Sequence, residues 1–591
     1  MLPRHSYKMG IIGNGACIAY IERNTNIAWL CWPRFDSSFV FGGLLDRDKG
    51  GVFTILPVEP IIHNAQYYIE NTNILCTEIT TRDGKYRIID FTPRFKIDYR
   101  YYNPLLLIRK IEVISGNPKV KIDLDPKYDY GESALVLEKS DEGLFFKIKN
   151  DKLYLKTDIP LNCISEKNNT FTLRDNHFIA LSWGNAEFNS IEDELRKTKQ
   201  YWWYWVATCA LPDIYQKEAI RSCLALKLHQ YEETGAIIAA GSTSLPETPG
   251  AGRNWDYRYF WVRDSYYTLE VARKIGHFEE LSKYANFIRN TITHRRSGIQ
   301  PLYSIYGEEK LEEKILPLAG YNNEKPVRIG NAAYTQKQHD AYGQIILSIA
   351  PLYLDQRISP EKRLDDVELI DYLLDCIEKH VGQADAGIWE LRHSQDMHVY
   401  SALFHWLGAV TALKIGQHLK HRKMITKAKA IIHKCANCIE LCYSPELDCY
   451  MGNALQDKID ATTLELINMG YITERRIIEK QISLIEKHLI RGEHELLMRY
   501  SYRDDFGEQH IAFIICNFWY ISALAKIGRI NKALQTFEKL LSSANHLGLL
   551  SEDVEFDDLG QYGNFVQSYS HVGLVNAVFD LDFAMKHYSR R

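Results

Sequence analysis

Hydrophobic and polar positions follow two different patterns along the chain. From residue 9 to about 183 they alternate, which is the period of half-buried strands, and turn residues recur roughly every ten positions, as at Asp83-Gly84 and at 115–118. Both turns have the composition of β-hairpins, and many short strands at this spacing predict an antiparallel β-sandwich. After about residue 200 the period changes to 3.6 residues, which predicts helices as far as the C-terminus.

Twelve helices are predicted in the second part, and the connections between them alternate between long and short. In antiparallel helices every second connection emerges at the same end, so this alternation predicts six helical hairpins in a toroid with all long connections on one face. Loops positioned by a rigid scaffold commonly carry function, so we expect the site among them. The predicted helices are 214–231, 262–274, 278–294, 340–354, 364–381, 399–419, 422–441, 456–468, 475–489, 511–527, 530–543 and 568–587. The long connections are 232–261, 295–339, 382–398, 442–455, 490–510 and 544–567.

An aromatic segment, Tyr201-Trp202-Trp203-Tyr204-Trp205, lies where the two patterns meet. Aromatic faces can bind sugars, but an exposed cluster of this size is usually covered by another part of the molecule. We therefore interpret it as an anchor between domains rather than as a binding platform. The predicted domains are 1–200, including this junction, and 201–591.

Charge and cysteine content exclude several classes of protein. The 591 residues include 71 basic and 75 acidic side chains, a net charge of −4 that gives no basic surface for nucleic acid or anionic membrane. Twelve cysteines are too few for a disulfide scaffold. Cys435, Cys438 and Cys442 share one stripe of a predicted helix without an evident fourth ligand, so we interpret them as buried free thiols in a reducing compartment.

No metal-ligand spacing and no cofactor-binding loop is found in the sequence, so we expect neither a metal nor a cofactor. Whether the acidic run at 552–558 holds a structural Ca²⁺ stays open, as does the oligomeric state.

The sequence predicts no membrane span. The longest apolar stretches without charge, 399–413 and 511–525, have 15 residues each, fewer than the roughly 20 that a span needs, and they predict buried helices. Arg4 and Lys8 precede an apolar run at 9–21 that is similar to a signal peptide, but Asn14 interrupts it and no small-residue cleavage site follows. We therefore expect a cytoplasmic protein, although export by another route stays open.

The first long connection combines aromatic and ionisable side chains. Proline and glycine residues within 244–264 hold an irregular backbone, which presents four aromatic residues beside arginines and aspartates. Aromatic faces contact the C–H side of a sugar, and paired Arg and Asp groups hydrogen-bond its hydroxyls. The competing interpretation is a network that only braces the loop. For Arg263 and Asp264, at the start of a predicted helix, we favour contact with a sugar. The aromatic residues are Trp255, Tyr257, Tyr259 and Trp261, and the ionisable ones are Arg253, Asp256, Arg258, Arg263 and Asp264.

Two other long connections each carry a glutamate among apolar neighbours: Glu390 within 387–392 and Glu552 within 548–555. Such neighbours tend to raise a carboxyl pKa, as a general acid requires. A lone loop glutamate is usually solvated or caps a helix. Two on the same predicted face, however, make the pair of carboxylates that glycoside hydrolysis uses.

Five parts of the chain together resemble glycoside hydrolase family 15, whose members include glucoamylases, glucodextranases and prokaryotic trehalases. They follow the family's order over nearly the whole chain, at 26–36, 244–264, 387–392, 499–506 and 548–552, the last followed by 563–571. The resemblance implies an α+β multidomain fold, in which an N-terminal antiparallel β-sandwich precedes an (α/α)6 helical barrel. It also implies inverting hydrolysis of α-glucosidic bonds.

The resemblance assigns roles to individual residues. Glu390 in Ile-Trp-Glu matches the general acid, and Glu552 in Leu-Ser-Glu matches the general base. Arg263 and Asp264 match the pair that holds the 4- and 6-hydroxyls of the non-reducing glucose, and Arg499 matches the arginine that reaches the bond and the next sugar. Other expected substrate-binding residues are Tyr257 and Trp261, Trp389 beside the acid, and Tyr334, where fungal glucoamylases have Trp, with Gln336 and Gln338 nearby.

We expect an inverting, exo-acting glycoside hydrolase of the glucoamylase type, which releases β-D-glucose from α-glucans or maltooligosaccharides. Its two carboxylates should stand roughly 6.5–9.5 Å apart to admit the attacking water. An α,α-trehalase acting on trehalose with the same residues is the alternative, and Leu391, where fungal members have a second acid, puts starch preference in doubt. Glu552 argues against a glycoside phosphorylase, which uses phosphate instead of a base. The presence of both carboxylates argues against an inactive glycan-binding scaffold.

Overall fold

The computed structural model describes residues 4–165, 169–188, 190–292, 298–359, 364 and 367–588. Antiparallel sheets form the N-terminal part of the chain and helices form the C-terminal part. This order of architectures confirms the predicted α+β multidomain fold.

Short strands make up the N-terminal part, here called the β domain. The strands are β1 (Met9–Gly13), β2 (Ile18–Glu22), β3 (Ile27–Cys31), β4 (Phe39–Phe41), β5 (Val52–Pro57), β6 (His63–Tyr68), β7 (Leu75–Thr80), β8 (Gly84–Phe91), β9 (Phe95–Ile97), β10 (Arg100–Tyr102), β11 (Leu106–Gly116), β12 (Lys119–Asp125), β13 (Lys127–Tyr128), β14 (Ser133–Ala134), β15 (Leu137–Ser140), β16 (Gly143–Ile148), β17 (Asp151–Thr157), β18 (Thr170–Thr172) and β19 (His177–Trp183), with one short helix, α1 (Asn162–Ser165). Three main sheets have the orders β1-β2-β3-β4, β18-β12-β5 and β15-β16-β17-β19-β11-β8-β7-β6. β9 pairs with β10, and β13 pairs with β14.

One of the two predicted hairpins is present and the other is not. β7 and β8 pair across Asp83-Gly84 as predicted. The turn at 115–118 instead passes between sheets, because β11 pairs with β8 and β19 while β12 pairs with β5 and β18. The composition of a turn predicts that the chain changes direction, but it does not predict which strand the following strand pairs with.

A buried ion pair joins the sheets of the β domain. Arg109 on β11 bonds Asp90 on β8 at 2.8 Å, and neither side chain is exposed. The same guanidinium donates to the backbone carbonyls of Phe53 and Thr25, which lie outside the eight-stranded sheet. These bonds satisfy a charge that would be costly to bury alone.

The aromatic segment 201–205 lies in a helix that the sequence analysis did not predict, α2 (Ile191–Ala207). Its start has a sequence signal, since the Ser190 hydroxyl accepts the Asp193 N–H as an N-cap. Trp202 and Trp205 are buried, and the Trp205 ring stacks on His277 at 4.3 Å between centroids. The helix also crosses the predicted boundary at residue 200, so that boundary stays a prediction.

Twelve long helices and one short turn follow α2 in the described chain. They are α3 (Gln216–His229), α4 (Val262–Ile275), α5 (Glu279–Ile292), α6 (Asp340–Ile349), the turn α7 (Pro351–Leu354), α8 (Glu368–His380), α9 (Val399–His418), α10 (Arg422–Leu441), α11 (Thr463–Asn468), α12 (Arg475–Leu489), α13 (Ile514–Lys526), α14 (Ile530–Leu541) and α15 (Ser568–Tyr588). Six of them form a closed ring in which each contacts the next, in the order α4, α6, α9, α11, α13 and α15. The other six pack outside this ring. The predicted toroid of six hairpins is confirmed.

Several helix ends differ from the prediction for identifiable reasons. The helix predicted at 340–354 ends at Ile349, and Pro351, which has no N–H to donate, opens the separate turn α7. The helix predicted from residue 456 begins only at Thr463. The helix predicted from residue 511 begins at Ile514, because Ala512 and Phe513 form a strand. Predicted helical residues 293–294 and 365–366 lie outside the described chain.

The long connections contain short strands of their own. These are β20 (Phe260–Trp261), β21 (Leu302–Tyr303), β22 (Lys314–Leu316), β23 (Val327–Ile329), β24 (Tyr443–Ser444), β25 (Cys449–Tyr450), β26 (Ile490–Arg491), β27 (Leu496–Leu497), β28 (Ala512–Phe513), β29 (Ser551–Val554) and β30 (Gln561–Phe565). The last three form one antiparallel sheet, and the others pair in sequence order. The connections are therefore held in place by backbone hydrogen bonds.

Cysteine placement agrees with the interpretation as free thiols. All twelve cysteines are free, with Cys435 and Cys442 buried and Cys438 partly buried on or next to α10. In the part of the chain that the structure describes, no group of three or more His, Cys, Asp or Glu side chains is placed to hold a metal ion. Among the same residues, no helix has both the length and the apolar content that crossing a membrane requires.

Candidate active site

A pocket opens on the face of the ring where the inner helices begin. Five of the six long connections contribute to its lining, and of the described residues none within 442–455 does. The space inside it is about 890 Å³ when the solvent at its open mouth is included. The prediction that the long connections share one face and carry the site's residues agrees with this placement.

Glu390 reaches the pocket from a strained backbone. Its φ is +57°, a left-handed conformation that costs a non-glycine residue roughly 1–3 kcal/mol and is often found at functional sites. The Gln336 side chain supports this turn by donating to the Glu390 carbonyl at 3.0 Å. Trp261 Nε1 and Arg263 Nη2 donate to the Glu390 carboxylate at 2.8 and 3.2 Å. The carboxylate is therefore fixed by two donors.

Glu552 lies on β29, in the middle of the small sheet. Tyr257 donates its hydroxyl to Glu552 Oε1 at 2.9 Å, and the Asn564 N–H donates to Oε2 at 3.1 Å. Gly563 on β30 leaves room for this side chain, because a Cβ at that position would lie 2.6 Å from the Glu552 Cβ. The carboxylate is buried at the pocket wall.

One short segment before α4 holds both carboxylates. Tyr257 bonds Glu552 and Trp261 bonds Glu390, and the two rings pack edge to face with centroids 5.4 Å apart. Each carboxylate therefore has its own aromatic anchor, and the relative position of the anchors is set by ring packing. Two carboxylates that line one pocket, each with its own anchor, are suited to separate acid and base roles in glycoside hydrolysis.

Burial and neighbouring charge perturb several acids in the pocket lining and directly behind it. Burial raises the pKa of Glu552 well above its usual value, Glu247 and Asp553 raise it further, and Arg499 opposes them. Burial also raises the pKa of Asp553 to about 8, against the effect of Arg499. For Asp264, burial raises the pKa to about 6 although Arg263 lies beside it. Strongly perturbed carboxyls in one cleft are typical of a catalytic site.

A family model described as "Glycosyl hydrolases family 15" matches residues 213–579, more than half of the chain. This chain belongs to that family. A second model, described as "Trehalase-like, N-terminal", matches residues 4–166, which include most of the β domain. The protein is therefore a glycoside hydrolase that acts on α-glucosidic bonds, as the resemblance in the sequence implied.

Curated relatives match both parts of the chain. Trehalase of Thermoplasma volcanium is 31% identical over 99% of this chain and 94% of its own length. Trehalase of Thermoplasma acidophilum is 30% identical over 95% and 98% of the two chains, and trehalase of Mycolicibacterium smegmatis is 30% identical over 96% and 90%. A crystal structure of bacterial glucoamylase complexed with acarbose aligns with a TM-score of 0.68 at 15% identity, covering 99% of this chain and 96% of that one. This structural likeness shows the fold, and it confirms the expected (α/α)6 barrel.

Most residues that the family 15 resemblance singled out line the pocket. Arg263 and Asp264 lie in the first turn of α4 and are almost buried, with Arg263 Nε 3.7 Å from an Asp264 carboxylate oxygen. Trp389 donates its indole N–H to Asp460 at 2.6 Å, which fixes the ring next to Glu390 in the sequence. The lining includes Tyr257, Trp261, Arg263, Asp264, Gln336, Trp389, Glu390, Arg499 and Glu552.

Two of the expected substrate-binding residues do not line the pocket. Gln338 is buried behind it, where it accepts from Arg263 Nη1 at 3.1 Å and donates to Gln336 at 3.0 Å. Tyr334 is partly buried and packs with a small cluster that includes Trp261 and Leu302. Both positions support lining residues, and their direct contact with substrate stays a prediction that this geometry does not favour.

The structure also brings in acids that the sequence analysis missed. Glu247 lines the pocket at 2% exposure, and Arg499 Nη2 donates to it at 3.2 Å and to Asp553 at 3.0 Å. A signal was present, because Glu247 lies between two prolines in the same irregular connection as Trp255. Its contact with Arg499, which is more than 250 residues away in the sequence, could not be predicted from the spacing of the residues.

Proposed function

We propose that this family 15 hydrolase is an inverting α,α-trehalase, which hydrolyses trehalose to two glucose molecules. The observation that carries the proposal is the match of nearly the entire chain, including the β domain, to relatives named trehalase at about 30% identity. The glucoamylase structure that aligns over the same length is only 15% identical. This difference favours the trehalase alternative over the glucoamylase expected first from the sequence.

The placement of the two carboxylates supports an acid and base pair. Glu390 donates a proton to the oxygen that bridges the two sugars, and the bond from that oxygen to the anomeric carbon breaks. Glu552 takes a proton from water, whose oxygen attacks the same carbon from the opposite face. Trp261 and Arg263, which already donate to Glu390, stabilise its carboxylate once the proton has left. Trehalose and water give one β-glucose and one α-glucose.

The first turn of α4 supports recognition of the glucose whose bond is attacked. Arg263 presents guanidinium donors and Asp264 presents carboxylate acceptors at the pocket wall. In the proposed complex they bind its 4- and 6-hydroxyls. Trp389 and Tyr257 provide apolar faces for the ring, while Arg499 lies toward the leaving sugar.

A substrate panel tests the proposal directly. Initial rates are compared for trehalose, maltose, isomaltose and a maltooligosaccharide, and we expect kcat/KM for trehalose to exceed the others at least 100-fold. A higher kcat/KM for the maltooligosaccharide would support a glucoamylase instead. Glucose 1-phosphate that forms only when phosphate is added would support a phosphorylase.

Stereochemistry is tested by proton NMR during the first minutes of trehalose hydrolysis. An inverting enzyme gives equal amounts of α- and β-glucose before mutarotation, because only the attacked carbon changes configuration. A retaining enzyme gives only the α anomer, and that result would contradict the proposed roles of Glu390 and Glu552.

The cytoplasm is the compartment that we propose for this enzyme. Twelve free cysteines, most of them buried, support a reducing environment. Cell fractionation tests this directly, and the expected result is trehalase activity in the cytosolic fraction.

A further inference from the structure

Three side chains from three different connections meet at the outer edge of the pocket. We call Trp255, Arg392 and Phe506 the rim cluster. Phe506 is 37% exposed and the Arg392 side chain is 30% exposed, whereas Asp264 and Glu552 are at most 4% exposed. All five residues line the same pocket. The rim cluster therefore lies at the mouth, and the catalytic and glucose-binding groups lie below it.

Contacts within the rim cluster join three connections at the edge of the pocket. The Arg392 guanidinium lies 4.5 Å from the Trp255 ring centroid and 5.7 Å from that of Phe506. The Trp255 and Phe506 rings pack edge to face at 5.2 Å. A planar cation against two aromatic rings is a favourable arrangement, so each side chain fixes the other two.

Hydrogen bonds from one further connection, 295–339, and from Asp505, in the same connection as Phe506, hold the rim cluster in place. Glu313 bonds Arg392 at 2.9 Å and Arg328 at 3.1 Å, and Arg328 itself lies 4.5 Å from the Trp255 centroid. The Arg392 backbone N–H donates to the Asp505 carboxylate at 2.5 Å. Because the Trp255 ring is already in contact with two guanidinium groups and Phe506, it acts as a wall rather than as a free face for stacking sugars.

Substrate orientation places the rim cluster at the far end of a disaccharide. The glucose that Arg263 and Asp264 hold lies deep in the pocket, so the second sugar extends from the bridging oxygen toward the mouth. We propose that the rim cluster ends the pocket after this second sugar and limits the enzyme to unextended disaccharides. This inference rests on the proposed trehalase function, and it assigns substrate length to Trp255, Arg392 and Phe506.

The experiment compares trehalose with trehalose that carries one additional α-glucosyl group on O4 of one unit. The unextended glucose fills the deep position, so the extended unit must pass the rim cluster. For the wild-type enzyme we expect kcat/KM for the trisaccharide to be at most one hundredth of that for trehalose. Phe506→Ala and Arg392→Ala should each raise this ratio at least tenfold.

Two features of this experiment distinguish a change in substrate specificity from a general loss of activity. Arg392 lies two residues from Glu390, so Arg392→Ala can lower both rates, but the ratio of the two rates removes that effect. Phe506→Ala keeps the bonds of Arg392 to Glu313 and Asp505. Arg503→Ala, an exposed change in the same connection that lies outside the pocket lining, should leave the ratio at the wild-type value.

The possible failures are distinguishable. If the wild-type enzyme hydrolysed trehalose and the trisaccharide equally well, the proposed role of the rim cluster would be wrong, and the trehalase function would still stand. An unchanged ratio in Phe506→Ala would lead to the same conclusion. A wild-type enzyme that hydrolyses maltooligosaccharides but not trehalose would overturn the proposed function itself.

Discussion

At the residue scale, Tyr257 holds the carboxylate of Glu552 and Trp261 holds that of Glu390. Each side chain donates one hydrogen bond to one glutamate, and the two rings pack against each other edge to face. Side chains locked by packing and by second partners hold reacting groups more accurately than solvated ones. The strained backbone of Glu390 fits this view, because the Gln336 bond fixes a turn that would otherwise relax.

Replacing either carboxylate by its amide tests the assigned roles. Glu390→Gln and Glu552→Gln each keep side-chain size but remove proton transfer, which contributes about 10²–10⁴ in rate. We therefore expect kcat on trehalose to fall at least 100-fold in each variant, measured by glucose release. Thermal unfolding serves as the control and should show a transition within a few degrees of the wild type. If Glu552→Gln kept more than a tenth of the wild-type activity, Glu552 would not be the general base.

The environment of Glu552 predicts the acid side of the pH profile. Burial and the charges of Glu247 and Asp553 raise its pKa, so the ionised base is lost at a higher pH than for an ordinary glutamate. Glu247→Gln removes one neighbouring charge and lowers the pKa of Glu552. The acid limb of kcat/KM should therefore move to lower pH in this variant. An acid limb that stays in place would show that Glu552 does not control it.

At the scale of elements, the strand pair β29 and β30 positions Glu552, the proposed base, through one glycine. Gly563 has a φ of +71°, and an added Cβ would lie 2.6 Å from the Glu552 Cβ. Gly563→Ala should therefore displace the carboxylate and lower kcat at least tenfold, measured by initial rates on trehalose. Gly560→Ala in the same connection is the matched control, since the closest contact of its Cβ would be the end of the flexible Asp558 side chain, at 2.8 Å, with Tyr562 and the His5 carbonyl at 3.4 and 3.5 Å. Equal kcat values for the two variants would contradict the spacing requirement.

Sequence patterns predicted the ring because its helices repeat one simple signal. Outer helices such as α12 and α14 bury one stripe, inner helices such as α13 are buried on nearly every side, and the alternating connection lengths place the ends of both. The same reasoning could not predict β28, since Ala512 and Phe513 continue a helical pattern and become a strand only through pairing with β29. Pairing partners that are distant in the chain come from tertiary structure rather than from local sequence.

Some site residues were also predictable from the sequence, whereas contacts between different connections were not. Glu390 and Glu552 lie in the pocket because both belong to long connections, which the helix pattern alone locates on one face. Glu247 and the contact of Arg392 with Trp255 were not predictable, because each joins different connections. The family resemblance assigned roles to individual positions, but it did not indicate which of them, such as Gln338, support others from behind.

At the scale of the whole molecule, the β domain braces the connections that carry the site. Tyr7 donates its hydroxyl to the Gly563 carbonyl at 2.9 Å, directly behind Glu552. Trp29 donates to the Gly241 carbonyl at 2.8 Å, and Arg258 donates to the Ser37 carbonyl at 2.8 Å. The β domain thus contacts both the strand pair β29 and β30, which carries Glu552, and the connection 232–261.

A buried ion cluster joins the two parts of the chain. Arg94, between β8 and β9, bonds Glu232 of the first long connection at 2.7 Å, with Arg94 at 1% and Glu232 at 10% side-chain exposure. Lys283 on α5 also bonds this carboxylate. Burial alone would raise the pKa of Glu232, but Arg94, Lys227 and Lys283 together lower it to about 2. The difference from the ordinary 4.5 corresponds to about 3 kcal/mol of stability at neutral pH.

Glu232→Gln should therefore destabilise the protein at neutral pH, with a lower Tm in calorimetry. Because the pKa of Glu232 is lowered in the folded state, its contribution is complete above about pH 4.5 and is lost as the pH falls toward 2. The gap in Tm between wild type and variant should accordingly narrow between pH 5 and pH 3. Glu233→Gln, at an exposed neighbouring position, should show almost no gap at any pH. A gap for Glu232→Gln that stays constant with pH would mean that the side chain stabilises the domain contact by packing, not by charge.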